Sequence, residues 1–245
     1  MRLWAPLSAA GMLLPVLAGC ATSSAGDTAA VVPPTASSAP SPVASPAPVA
    51  TPPPSPLVRP FKPIGKPGGW RITTYYTLVQ TYHGGPLKPV KGCATFHCKW
   101  GKDPLGSYPA DFLKAIQTEG NGRITTGPNK GRYLNWSYSV GWWLDDSTRD
   151  SRGKPLKPWS SAAADKTVLA RGQRFVVAHC GKKGRPVPAE ICAKFRQSHW
   201  TVTDLFRPGY GGEHHADLYI GEETGPNFKK SPYYTTLGGA TIGTA

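Results

Sequence analysis

Two aspartates, Asp204 and Asp217, bracket a glycine-rich turn inside His199–Glu223, HWTVTDLFRPGYGGEHHADLYIGEE. This is the best place in the chain for a catalytic carboxylate, because a carboxyl group whose surroundings raise its pKa can give and take a proton near neutrality. The segment reads as strand, Gly/Pro-rich turn, strand. By the period-two rule, Trp200, Val202 and Asp204 share one face of the first strand. In the second, Ala216, Leu218 and Ile220 share a face, while Asp217 and Tyr219 point the other way. A lone aspartate in such a place most often caps a turn or strand end. Two of them around one turn on adjacent strands make the stronger site candidate.

The elements that must hold this pair are mostly short strands. Arg71–Val79, RITTYYTLV, is β-branched and aromatic and predicts a strand. Pro109–Thr118 predicts a short helix with Pro109 at its start and Phe112 and Ile116 on one side, ended by Glu119-Gly120-Asn121-Gly122. Arg132–Val140 alternates as one strand, with Leu134, Trp136, Tyr138 and Val140 on one face. Trp142 and Trp143 extend this aromatic cluster, as core or as a sugar-stacking platform. Asp145–Lys157 reads as a polar loop, Gln173–His179 as a strand and Pro188–Gln197 as a helix pairing Ile191 with Phe195. A Gly/Thr-rich tail follows Tyr234. Many strands and few helices predict a small β-barrel or mixed β-rich domain.

The N-terminal part of the chain is not globular. Arg2, the apolar run Gly11–Ala18 and the small residues after it predict a secretory signal over residues 1–19. The apolar run is too short for a permanent membrane span. Leu17-Ala18-Gly19-Cys20 resembles the bacterial lipobox, which implies a lipid on Cys20 and a membrane anchor. Residues 20–68 are rich in Pro, Ala and Ser and predict a disordered linker with extended polyproline II character. At roughly 3 Å per residue it would hold a domain on the order of 100 Å from a membrane. The folded unit is then residues 69–245, long enough for one core.

Four further cysteines, Cys93, Cys98, Cys180 and Cys192, are an even set in an exported chain and point to two disulfides. Cys93–Cys98 with Cys180–Cys192 is the local pairing, one of three. Zinc is the rival, since His97 and His179 each adjoin a cysteine, but neither spacing is that of a zinc ribbon. The reading calls for no metal and no cofactor. The formal net charge of +14 suits an anionic surface or polymer. Nucleic acid would explain the charge too, but export and the absence of a recognised binding motif argue against it.

Ala163–Val177, AADKTVLARGQRFVV, resembles an element of the 3D domain, in which an Asp precedes an apolar pair and a Gly before a strand. That domain, named for three aspartates, forms a double-psi β-barrel in membrane-bound lytic transglycosylase A and its relatives. Thr74-Tyr75-Tyr76-Thr77 resembles the family's first barrel strand, and Phe112–Ile124 resembles the helix and Gly-x-Gly turn that follow. The resemblance runs in order over most of Arg71–Gly221. It implies a mainly β, six-stranded double-psi barrel with short helices, in a monomeric cell-envelope lipoprotein facing the periplasm or cell wall. The partner would be peptidoglycan glycan strands. The three aspartates would be Asp165, Asp204 and Asp217, with Asp217 as the single acid/base of lytic cleavage and the other two orienting it or holding turns. Tyr76 and Glu119 would be groove residues, with Trp142 and Trp143 as candidate sugar contacts. Two departures stand out: the turn Leu205–Ala216 is longer than the family's, and Leu78–Thr118 is too short for the family's second domain. The competing expectations are a non-catalytic, expansin-like wall-binding module and three aspartates that only brace barrel turns.

Overall fold

The computed structural model describes residues 60–206, 209 and 211–244. The predicted signal 1–19, Cys20 and the linker up to residue 59 lie outside the described residues. In chain order the elements are β1 (Lys62–Pro63), β2 (Trp70–Val79), β3 (Leu87–Gly92), β4 (Asp103–Pro109), α1 (Ala110–Glu119), β5 (Asn121–Arg123), β6 (Tyr133–Ser137) and β7 (Gly141–Asp145). They continue with β8 (Ser161–Ala164), β9 (Arg174–His179), α2 (Ala189–Gln197), β10 (His199–Leu205), β11 (His215–Glu222) and β12 (Leu237–Thr244). No described helix is long and apolar enough to cross a membrane.

The ladder runs β12-β9-β10-β8-β11-β2 and closes through a β12–β2 pairing, which makes the expected six-stranded barrel. Two pairs, β8–β10 and β2–β11, are parallel within the otherwise antiparallel ring. Alternation decides which side chains fill it. Ile72, Tyr76 and Leu78 of β2, Phe175 and Val177 of β9, Trp200 and Val202 of β10, and Ala216, Leu218 and Ile220 of β11 join one buried cluster. Closure leaves no barrel edge unpaired, so each strand's backbone groups are met by a neighbour. The ladder then extends from β2 through β5 and β6 to β7, so the outer face of β2 continues into a side sheet.

Both expected helices form. Pro109 and Pro188 stand at the N-caps of α1 and α2, where a missing N–H leaves no bond unmade. Gly120 closes α1 in the left-handed region at φ 96°, its N–H donating to the Ile116 carbonyl. The cysteines form Cys93–Cys98 and Cys180–Cys192, so all four thiols are used and none remains to hold zinc.

Several expectations change. The Gly/Thr-rich tail is β12, the strand that closes the barrel, with Leu237, Ala240 and Ile242 buried in it. Its glycines hide the strand signal but serve close packing: a Cβ on Gly243 would lie 2.4 Å from the Lys62 carbonyl oxygen. The alternating run 132–140 is not one strand but a hairpin of β6 and β7, turning at residues 138–140. Leu87–Gly92 pairs with β4 as a separate two-stranded ribbon. Residues 60–68, assigned to the linker by composition, belong to the fold. Lys62 and Pro63 pair with β12, the Trp70 indole donates to the Ile64 carbonyl at 2.7 Å, and the Gly68 N–H donates to the Thr241 hydroxyl at 2.9 Å.

Candidate functional site

Asp217 lies in β11 between Thr73 of β2 and Ala163 of β8. Its neighbours Ala216 and Leu218 are fully buried in the barrel, so Asp217 projects from the outer face, as alternation predicts. As a residue it keeps partial access to solvent, yet its Oδ1 is enclosed and has no hydrogen-bond partner. Desolvation dominates and pushes its pKa up to about 7. Hydrogen bonding from Thr73 and the charge of Arg71 pull it down, and the nearby Asp204 pushes it up further.

Asp204 reaches the same face by a different route. Unbroken alternation along β10 would put it with Trp200 and Val202 on the barrel interior. The register instead shifts: Val202 faces Ala162 and Asp204 faces Ala163, so Thr203 is an extra, bulged residue. The bulge turns Asp204 outward. Asp204 and Asp217 then flank the same alanine, Ala163, on the two sides of β8, roughly 10 Å apart at the backbone by two strand spacings. Ala163 between them is itself buried, 6% exposed. Burial raises the Asp204 pKa, against hydrogen bonds from the N–H groups of Leu205 (2.8 Å) and Ser151 (2.9 Å) to its Oδ1.

The rest of the face comes from residues that sequence reasoning passed over. Tyr75, Tyr219, Ala163 and Leu156 form a small buried cluster on this outer side, with Phe206 packed against it. Tyr75 and Tyr219 have ring centroids 5.2 Å apart, and the Tyr75 hydroxyl, like Asp217 Oδ1, is buried without a partner. Desolvation first, then the charges of Asp204 and Asp217, hold the Tyr75 hydroxyl protonated. His215, two residues before Asp217, donates from Nδ1 to the Gly211 carbonyl at 2.9 Å. Its Nε2 lies 2.7 Å from the Thr73 hydroxyl. Burial and then Arg71 lower the His215 pKa, which keeps this ring neutral, and Phe206 stacks on it at 4.9 Å. Period two through Thr73, Tyr75 and Thr77 was the signal that could have found the β2 residues.

Beyond this face, the side sheet holds a buried polar row, with Thr77, Asn121 and Asn135 at 0%, 4% and 1% exposure. The Tyr219 hydroxyl lies 2.6 Å from the Thr77 hydroxyl, which donates to Asn121 Oδ1 at 2.5 Å. Asn121 pairs with Asn135, and Asn135 with Trp143. The loop after β7 covers part of this surface. Thr148, Asp150 and Leu156 are buried in it, and a bidentate Arg149–Asp145 pair with contacts of 2.6 Å ties its base. Desolvation tends to raise the Asp145 pKa, but the hydrogen bonds from Arg149 and from Asp146 outweigh it and leave the pKa lowered.

The other expected residues are placed differently. Asp165, just after β8, is satisfied on both oxygens: Oδ1 accepts from the N–H (2.9 Å) and hydroxyl (2.8 Å) of Thr167 in its own turn, and Oδ2 from the Gly209 N–H (3.3 Å) between β10 and β11. These bonds lower its pKa. Tyr76 points into the core, 2% exposed, against Phe228 and Tyr234. Glu119 is buried beneath the sheet, where it accepts from the Tyr234 hydroxyl at 3.1 Å and desolvation pushes its pKa up to about 7. Trp142 packs partly buried with Trp136, on the opposite face from Asn135. Trp143 is on the Asn135 side but enclosed, 7% exposed, with its indole N–H unpartnered. Among the described residues no group of three His, Cys, Asp or Glu side chains is placed to hold a metal.

No family model and no curated protein matches this chain. Solved structures do show a likeness. MltA from Escherichia coli with bound chitohexaose is 11% identical over 72% of this chain and 71% of its own, with a TM-score of 0.47. A membrane-bound lytic murein transglycosylase from Agrobacterium tumefaciens is 9% identical over 73% and 74%, also with a TM-score of 0.47. The lytic transglycosylase LtgG of Burkholderia pseudomallei is 12% identical over 71% and 70%, with a TM-score of 0.37. A likeness at this level assigns no residue a role.

Proposed function

We propose that the protein is a peptidoglycan lytic transglycosylase of the cell envelope, with Asp217 as its single acid/base. The observation that carries the reading is the Asp217 carboxyl: outward-facing, with its Oδ1 enclosed and unpartnered, and raised to about 7. Such a group is protonated in a useful fraction at neutral pH and stands ready to exchange a proton with a ligand. In the reaction it gives its proton to the glycosidic oxygen between N-acetylmuramic acid and N-acetylglucosamine as the C1–O bond breaks. The muramic C6 hydroxyl then attacks C1 and returns its proton to the carboxylate, leaving a 1,6-anhydro end. Asp204, desolvated and across Ala163, keeps Asp217 from ionising early. Asp165 holds its turn. The sequence resemblance to the 3D domain points to the same carboxylate, and supports the further reading of a monomer anchored by a lipid on Cys20.

The second reading is a non-catalytic glycan-binding module. The burial of Leu156 over Tyr75 and Tyr219 favours it, because that loop encloses part of the face a substrate would need. Incubation with purified sacculi separates the two. Release of anhydro-muropeptides that disappears in Asp217→Asn supports the enzyme. Tight pelleting with sacculi and no soluble product would replace it with the binder.

A further inference from the structure

The positive charge is not spread evenly. Residues 60–70, 174–197 and 237–244 carry eight Lys or Arg side chains and one carboxylate, Glu190. The other twelve carboxylates between residues 60 and 244 lie elsewhere in the chain. Those three segments are neighbours in space, since β1 pairs with β12, β12 with β9, and α2 packs on β9. Lys62, Lys66, Lys182, Lys183, Arg185 and Arg196 are among the eight; all eight are exposed, and none makes a salt bridge among the described residues. Lys183 is held beside Gly238 of β12 by its backbone N–H, 2.9 Å from the Gly238 carbonyl, which joins the Lys182–Arg185 turn to the start of β12.

An apolar feature sits in this basic face. Phe61 is 41% exposed and lies over Gly243, where a Cβ would come 2.4 Å from its ring. Beside it a depression of about 530 Å³ opens between β9 and α2, lined by Val176, His179, Ala193 and Arg196. β9 stands three strands from β11 in the ring of six, so this face and Asp217 are on opposite sides of the barrel. An exposed aromatic ring among cations that make no salt bridge, with Glu190 and, beside Gly65, Glu213 as the nearby carboxylates, is the chemistry of an interfacial contact with anionic lipid. The cations meet headgroup phosphates and the ring enters the boundary with the acyl chains. A soluble polyanion would use the cations and leave Phe61 without a role.

We propose that the face made by β1, β9, β12 and α2 docks on an anionic phospholipid surface. Docked this way, the domain turns the Asp217 side away from the membrane. The proposal needs no turnover and so stands apart from the lytic reading. The test is sedimentation of the full chain, produced without lipid modification, with vesicles of phosphatidylcholine with or without phosphatidylglycerol. Binding is expected only with phosphatidylglycerol and should weaken as salt shortens the Debye length, about 10 Å at 0.1 M. Charge reversal by Lys182→Glu, Arg185→Glu and Arg196→Glu together should weaken it by roughly tenfold or more, with melting unchanged. Phe61→Ser should weaken binding even at fixed salt. The same reversal at Lys229 and Lys230, exposed lysines outside this face, should leave most of the binding. Equal binding to neutral vesicles overturns the proposal, as does an equal loss from the Lys229 and Lys230 reversal. So does binding of a soluble poly(glycerol phosphate) chain without binding to the vesicles.

Discussion

Asp165 sits just after β8 and Asp217 on its partner strand β11, yet their surroundings move them in opposite directions. Asp165 has both carboxylate oxygens satisfied, one by its own turn and one by Gly209, and its pKa falls. Asp217 has an enclosed Oδ1 with no partner, and its pKa rises to about 7. Hydrogen bonds to the ionised form lower a pKa and desolvation raises it, so the two carboxylates report opposite local designs. A satisfied carboxylate braces a turn. An enclosed, unsatisfied one is held in a state that favours exchange with a ligand, and the fold must carry that strain elsewhere.

The comparison breaks most sharply under amide substitution. Asp217→Asn should lower release of anhydro-muropeptides by roughly 10²–10⁴-fold, since the amide keeps the shape but cannot transfer the proton. Full activity in that variant, measured on sacculi, would remove Asp217 from the chemistry. A control on the far side of the barrel comes next. Replacing Cys180 and Cys192 by Ala opens the disulfide between the end of β9 and α2, with a sequence separation of 12. It should cost about 2–3 kcal/mol of stability by chain entropy and leave the rate per folded molecule unchanged. A fall in kcat matching that of Asp217→Asn would mean that the site is sensitive to stability in general.

Asp165→Asn should lower the melting temperature by several degrees while sparing activity per folded molecule. The amide offers one acceptor where Thr167 and Gly209 use two carboxylate oxygens, and its NH₂ faces the Thr167 or Gly209 donors. Loss of activity with unchanged melting would make Asp165 a member of the site rather than a brace. A further expectation concerns the pH dependence of stability. The Asp217 pKa is raised from an unfolded value of about 3.9 to about 7 in the fold. Between those values the native state holds a proton that the unfolded chain has lost, so this group's contribution to stability declines as pH rises from about 4 to 7. Glu119, raised to about 7 by burial, adds a slope of the same sign. Asp217→Asn removes only its own share. The melting temperature of the variant relative to wild type should therefore rise between those pH values and level off above. A difference that stays flat with pH would show that Asp217 is not raised.

Much of this was legible from residue order alone. Strand alternation in β2, β9 and β11, proline at both helix starts, local cysteine pairing and the outward direction of Asp217 all follow from short-range rules, because each depends on nearest neighbours in the chain. What lay outside those rules was long-range. β12 reads as a glycine-rich tail because its glycines are needed for contact with Lys62 and Phe61, residues at the other end of the fold. Asp204 reads as facing the core because nothing in HWTVTDL marks Thr203 as a bulge. That shift is set by the register between β10 and β8. Tyr75 replaces Tyr76 on the site face for the same reason: alternation says that adjacent tyrosines face opposite ways, but only barrel closure decides which side is inside. By itself the sequence determined most of the barrel strands, both helices, an even set of cysteines with local pairing as one of three, and a short list of carboxylates. The tertiary structure decided which carboxylate is enclosed and unpartnered and which is satisfied, because desolvation and hydrogen bonding come from residues far apart in the chain.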